Sequence, residues 1–183
     1  MNQPNLFFYS PISTPFGISI IGWYDNRLSA FVLPQQSLDE ARNILNSYQL
    51  PKHDSQNTDS SLPWPDLPDK INAYFQGKKV SFPEPVYLEQ FHPFTRQVLE
   101  TIRTIPWGEV ITYQQIAHQA TQSRAYRATG QALGRNPIPL IVPCHRVVAK
   151  NSLGGFGYGL EWKSRLLSLE KYNKEGMKGF TLP

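Results

Sequence analysis

Thr112-Tyr113-Gln114-Gln115-Ile116-Ala117, continued through Ala120-Thr121-Gln122 to Ser123-Arg124-Ala125-Tyr126-Arg127-Ala128-Thr129-Gly130-Gln131-Ala132-Leu133-Gly134-Arg135-Asn136-Pro137, is the stretch that decides the fold. Thr112 and Gln115 have the spacing of a capping box, in which each side chain satisfies a backbone N–H near the other, so a short helix opens here with Ile116 and Ala117 inward. Ser123 is placed to cap a second helix, which Asn136-Pro137 stops. Two short helices joined by a tight turn form a helix-turn-helix unit. Ala125, Ala128, Gly130, Ala132 and Gly134 make the second helix slim. Each glycine weakens a helix by about 1 kcal/mol relative to alanine, so another surface must come close in compensation. That surface is either a neighbouring helix or a nucleic-acid groove, with Arg127 and Arg135 beside the phosphates.

Upstream of this unit, Pro93 suits a first helical turn, and Phe94, Val98, Leu99, Ile102 and Ile105 trace one face that Gly108 ends. Nearer the N-terminus, Gly17–Tyr24 and Leu28–Leu33 are β-rich runs around Asp25-Asn26-Arg27, the pattern of a hairpin. Ser37 and Glu40 form another capping box ahead of Leu38, Ala41, Ile44, Leu45 and Tyr48 at helical spacing. Pro51 to Pro68 holds four prolines among polar residues and is a loop or linker. A short helix from about Asp69 to Phe75 closes near Gly77. These elements predict an α+β protein: a small N-terminal α/β domain over 1–88, then a mainly helical domain with the helix-turn-helix over 89–183.

The 183 residues limit the chain to one compact domain or two small ones, and a 40% hydrophobic content excludes global disorder. No apolar stretch approaches the roughly 20 residues of a membrane span, and Met1-Asn2-Gln3-Pro4 lacks the basic start of a secretory signal; a soluble, intracellular protein is expected. The net charge of +4 is unevenly spread. Residues 1–88 carry six Lys/Arg against eight Asp/Glu, and residues 89–183 carry twelve against six. Between Glu109 and Glu161 there is no acidic residue, while Arg124, Arg127, Arg135, Arg146 and Lys150 all fall there. This basic window is either a solvated face or the contact surface for a polyanion.

Cys144 is the only cysteine, which excludes an intrachain disulfide and a multi-cysteine zinc site. It lies in Ile138-Pro139-Leu140-Ile141-Val142-Pro143-Cys144-His145-Arg146-Val147-Val148, a buried-strand pattern interrupted by prolines. It is either an inert core thiol or one activated by His145 and Arg146. Neighbours on an extended chain point to opposite sides, so a direct Cys–His dyad is awkward and a water-bridged contact is easier. Next, Gly154-Gly155-Phe156-Gly157-Tyr158-Gly159 is a turn or a loop whose backbone approaches a ligand; it is no Walker loop, since no Gly-Lys-Ser/Thr ends it. In the last helix Lys163, Leu166, Leu167 and Glu170 share a face. The two charges there either flank the apolar stripe or are buried partners of the His145 region.

Pro143-Cys144-His145-Arg146-Val147, Thr112 through Ala117, the arginine-bearing helix, Gly134-Arg135-Asn136-Pro137, and Leu160 through Lys163 to Glu170 together resemble the O6-alkylguanine-DNA alkyltransferases. The resemblance is dense from about Phe91 to Glu170 and general before it. It implies cofactor-free transfer of the alkyl group of O6-alkylguanine, and more weakly O4-alkylthymine, from duplex DNA to Cys144, once per molecule. His145 would take the thiol proton through a water and Glu170 would orient the imidazole, the logic of a hydrolase triad. Tyr113 would assist the leaving guanine and crowd the target phosphate, and Arg127 would fill the vacated stack. A base must leave the duplex before a thiol can reach its substituent. Ala125, Ala128, Gly130 and Arg135 would lie along the minor groove with Arg127. Asn136 would brace the active-site turn, Lys163 and the Gly157 backbone would hold guanine, and Pro139, Val147 and Phe156 would complete the pocket. Phe156 stands where relatives commonly carry Tyr.

Some relatives bind zinc through N-terminal cysteines and histidines; this half has only His53, so no metal and no cofactor are expected. A monomer is expected as well. The rival readings are a lesion sensor or helix-turn-helix regulator whose cysteine is never alkylated and, more distantly, a cysteine hydrolase. Because Cys144 lies in a run predicted to be buried, a methyl added there must fit a packed site and is expected to destabilise the protein by about 1 to 3 kcal/mol through overpacking.

Overall fold

The structure, a computed structural model, describes residues 6–51, 61–121 and 125–170. His53, Ser123 and Arg124, and much of the proline-rich stretch, lie outside the described residues. Two compact units divide the rest: one takes residues up to Gln76 with Val80–Gln90 and Pro137–Pro139, the other Gly77–Lys79, Phe91–Asn136 and the residues from Leu140.

In the first unit β1 (Phe7–Thr14), β2 (Gly17–Tyr24) and β3 (Arg27–Gln35) form an antiparallel sheet in the order β1-β2-β3. The hairpin turn is shorter than the sequence suggests. Asp25 and Asn26 alone bend the chain, with φ of 51° and 52°, and Arg27 already pairs with Tyr24. Two positive φ values are what a two-residue turn matched to strand twist requires, and Asp and Asn tolerate them best among non-glycine residues. β1 escapes the sequence reading because Pro11 interrupts it; as an edge strand it can spare that N–H. Helix α1 (Leu38–Ser47) packs on β2 and β3, closing a core of Phe7, Tyr9, Ile20, Ala30, Val32, Ala41 and Leu45. Its cap is the expected one, Ser37 accepting from the Glu40 N–H at 3.2 Å. Helix α2 (Leu67–Phe75) starts two residues earlier than predicted, with Pro68 in its first turn.

The second unit holds α3 (Pro93–Ile102), β4 (Ile111–Thr112), α4 (Tyr113–Thr121), α5 (Tyr126–Gly134), β5 (Val147–Val148) and α6 (Gly159–Leu169). The Thr112–Gln115 box is reciprocal: the Gln115 N–H donates to Thr112 Oγ1 at 3.2 Å and the Thr112 N–H to Gln115 Oε1 at 2.9 Å. Helices α3, α4 and α5 pack on one another, and α5 presents Thr129, Ala132 and Leu133 inward. The glycine-bearing helix thus has close helix neighbours on its inner side, while Arg127 and Arg135 stay exposed on it.

Candidate active site

The expected buried strand over Ile138–Val148 does not form. Pro139 and Pro143 remove backbone donors along it. Leu140 takes φ of 75°, a left-handed conformation a leucine holds only when its surroundings over-determine it. Cys144–Arg146 is a single turn of 3-10 helix, and only Val147 and Val148 pair, parallel to Ile111 and Thr112. Three consecutive side chains on such a turn splay around it rather than alternating across a plane. Cys144, His145 and Arg146 therefore each face a separate environment.

Cys144 reaches the cavity and is 8% exposed. Asn136, just beyond the end of α5, donates through Nδ2 to the Val142 carbonyl at 2.8 Å and to Cys144 Sγ at 3.1 Å. It braces the turn and the thiol with one amide. Burial pushes the thiol pKa up, against the Asn136 bond and the nearby Lys163 charge, so the resting cysteine is a neutral thiol that needs a base.

Next in the chain stands an imidazole. His145 is fully buried, and its Nε2 meets Glu170 Oε1 at 2.8 Å. Burial lowers the His145 pKa although Glu170 works to raise it, so the ring is neutral at neutral pH. With a carboxylate accepting at Nε2, that nitrogen carries the proton and Nδ1 is the basic one. Glu170 itself is buried, which favours its neutral form. Hydrogen bonds from His145 and Arg146 outweigh that and hold it at about 2. Arg146 supplies Nε to Oε2 and Nη2 to Oε1, both at 2.9 Å, and its Nη1 donates to the Ile105 carbonyl at 2.6 Å. The Gly108 N–H adds a further bond to Glu170 Oε2 at 3.1 Å. The carboxylate is thus fixed in place and charged at neutral pH behind the imidazole.

Helix α6 delivers both ends of this arrangement, because spacing of three, four and seven puts Lys163, Leu166, Leu167 and Glu170 on its inner face. The charges are buried partners of the site, not flanks of the stripe. Lys163 is fully buried, and its Nζ donates to the Val147 carbonyl at 2.6 Å and the Gly155 carbonyl at 3.0 Å. Burial pulls its pKa down to about 8, with Cys144 acting in the other direction. Tyr113 donates its hydroxyl to the same Gly155 carbonyl at 3.1 Å. At Gly154, with φ of 70°, a Cβ would stand 2.6 Å from the Tyr113 ring, so glycine is required there.

Over the thiol lies a cavity of about 400 Å³, lined by Tyr113, Tyr126, Gly130, Leu133, Gly134, Cys144 and Gly155–Gly157. Of the residues picked out from sequence, it gathers Tyr113, Gly130, Cys144, Phe156 and Gly157. Asn136, His145, Lys163 and Glu170 stand directly behind it. Val147 is buried and supplies a carbonyl to Lys163. Pro139 is buried in the first unit and does not line the cavity. Ala125 and Ala128 are partly exposed along α5. The sequence offers Arg146 only as a cation beside the thiol, whereas the structure sets it on Glu170; Tyr126 and Leu133 carry no signal there. The cavity also leaves space beside the thiol for a methyl group, so the overpacking expected on methylation lacks a basis. Among the described residues there is no cluster of three or more His, Cys, Asp and Glu side chains able to hold a metal, and no helix long and apolar enough to cross a membrane.

Residues 93–172, which include α4 and α5, match the family described as 6-O-methylguanine DNA methyltransferase, DNA binding domain. A methylated-DNA--protein-cysteine methyltransferase of Sulfolobus acidocaldarius is 47% identical over 112 residues, which are 61% of this chain and 70% of that one. The crystal structure of Mycobacterium tuberculosis O6-methylguanine methyltransferase is similar with a TM-score of 0.72 and 32% identity, covering 90% of this chain and 93% of that one. A second structure of that protein, in complex with DNA, has a TM-score of 0.70 at 32% identity, over 90% and 92% of the two chains. The chain belongs to the methylated-DNA--protein-cysteine methyltransferase family.

Proposed function

We propose that the protein repairs duplex DNA by moving the alkyl group of O6-alkylguanine, and secondarily O4-alkylthymine, onto Cys144 Sγ. The observation that carries the reading is a neutral, Glu170-bound His145 next to a cysteine that opens into the cavity over α5 and the glycine loop. In one displacement the bond from O6 to the alkyl carbon breaks and a thioether forms. The thiol proton leaves through a water to His145 and is made up on the departing guanine. No cofactor enters this balance. Thioether formation consumes the acceptor, so each molecule reacts once.

Cys144 lines the cavity and is only 8% exposed, so the base must leave the duplex to reach it. Arg127 fills the gap in the stack, while Arg135 and the slim face of Ala125, Ala128 and Gly130 follow the minor groove. Tyr113 donates to guanine as it leaves. Lys163 and the Gly157 backbone hold the ring, with Phe156 as an apolar wall. The protein works as a monomer inside the cell. Incubation with duplex DNA containing O6-methylguanine, followed by mass spectrometry, is the test: one methyl group per molecule, on Cys144, and none in Cys144→Ala. Transfer persisting in Cys144→Ala, or no gain in mass by the unsubstituted protein, refutes the reading.

A further inference from the structure

The only large apolar side chains left exposed among the described residues are Leu6, Tyr126 and Leu160, and of these Tyr126, 51% exposed, is the one that lines the cavity. Its helix contributes one stripe to that lining, Tyr126, Gly130, Leu133 and Gly134, at steps of four, three and one. Opposite runs Gly155-Phe156-Gly157. A Cβ added at Gly134, Gly155 or Gly157 would meet nothing within 4 Å, and one at Gly130 only the Tyr113 ring at 3.9 Å. Between the stripe and the loop the missing side chains therefore leave an open slot.

The slot has a direction. Asn136, immediately past the C-terminal end of α5, holds Cys144 Sγ, so the floor is at that end. Leu133 lies near it, and the seven residues back to Tyr126 rise about 10 Å along the helix. Tyr126 is therefore at the mouth. A guanine that presents O6 to the thiol leaves its sugar and phosphates, and the strand they belong to, at the outer end. An aromatic ring half in solvent there gains little from burial, but it offers a π-face to any nucleotide.

We propose that Tyr126 is a further DNA-binding residue, whose ring packs on the strand beside the nucleotide delivered to Cys144. The proposal rests on the alkyl-transfer reading and adds to it a contact with the strand rather than with the alkylated base. Stacking of this kind is independent of sequence. Its loss on alanine substitution corresponds to roughly a 5- to 150-fold loss of affinity.

The test uses the Cys144→Ala protein, with and without Tyr126→Ala or Tyr126→Phe, and fluorescence anisotropy on a duplex bearing one O6-methylguanine. Tyr126→Ala is expected to raise Kd by that factor, and Tyr126→Phe, which keeps the ring, to bind as the parent does. With Cys144 present, Tyr126→Ala is expected to slow transfer from the duplex far more than transfer from O6-methylguanine offered as the free base. An unchanged Kd in Tyr126→Ala overturns the proposal, as does equal slowing on duplex and free base, which would make Tyr126 a wall of the base pocket. If the unsubstituted protein accepts no methyl while Tyr126→Ala still weakens duplex binding, the transfer reading falls and the strand contact stands.

Discussion

Arg146→Leu isolates what holds the buried carboxylate. In the native protein Glu170 is almost fully buried, and Arg146 gives it two bonds of 2.9 Å while anchoring to the Ile105 carbonyl at 2.6 Å. Leucine fills part of the space but takes both Arg146 bonds from the buried carboxylate, which keeps those from His145 and Gly108, and removes the Arg146 donor from the Ile105 carbonyl. Breaking a buried pair from one side costs about 3 to 5 kcal/mol, mainly because the surviving charge is uncompensated. For a chain of this size that is a fall in melting temperature of roughly 6 to 20 °C. Thermal and urea melts at neutral pH measure it. Removing both partners, Arg146→Leu with Glu170→Leu, is expected to recover much of the loss, since an apolar replacement of a whole buried pair is often near neutral. A single-variant cost below about 1 kcal/mol, or a double variant equal to the sum of the singles, would refute the claim that Arg146 compensates a buried charge.

Other outcomes follow from the same geometry. Glu170 is held at about 2 against an ordinary 4.5. Its contribution is complete above pH 4.5 and disappears as pH falls toward 2, about 3 kcal/mol in all. Urea melts across that window should show the slope, and Glu170→Gln should flatten it; an unflattened slope would mean that other carboxylates carry it. Gly154→Ala drives a Cβ to 2.6 Å from the Tyr113 ring at a φ of 70°, so a loss of about 1 to 3 kcal/mol in urea and slower transfer are expected, and a wild-type midpoint would show the loop yields freely. Methylated Cys144 has cavity space for the methyl, so the expected loss is chiefly the Asn136 bond to Sγ, about 1 kcal/mol or roughly 2 to 4 °C. Matched melts with DNA removed measure this, and a fall well beyond that range would return the explanation to overpacking.

Features that close within a few residues of their own signal are legible in the chain. The Ser37 and Thr112 caps, the stripe of α6 and the β2–β3 hairpin are legible because helix caps, hydrophobic periods and tight turns close over two to seven positions. Cys144 was singled out by its neighbours in the chain, and the family resemblance rested on such contiguous runs. The edge strand β1 was missed because Pro11 is tolerable only at an edge, and edge position belongs to the sheet. The run over Ile138–Val148 was misread as a strand because hydrophobicity reports burial, not conformation. Tertiary structure alone decided that Arg146 meets a carboxylate 24 residues away and that Lys163 is buried on two carbonyls. It also decided that a cavity lined by Tyr126 opens over the thiol. Each of these depends on which distant groups share a desolvated space, and the energy of a buried charge or thiol is set by that shared surrounding, which no local pattern encodes.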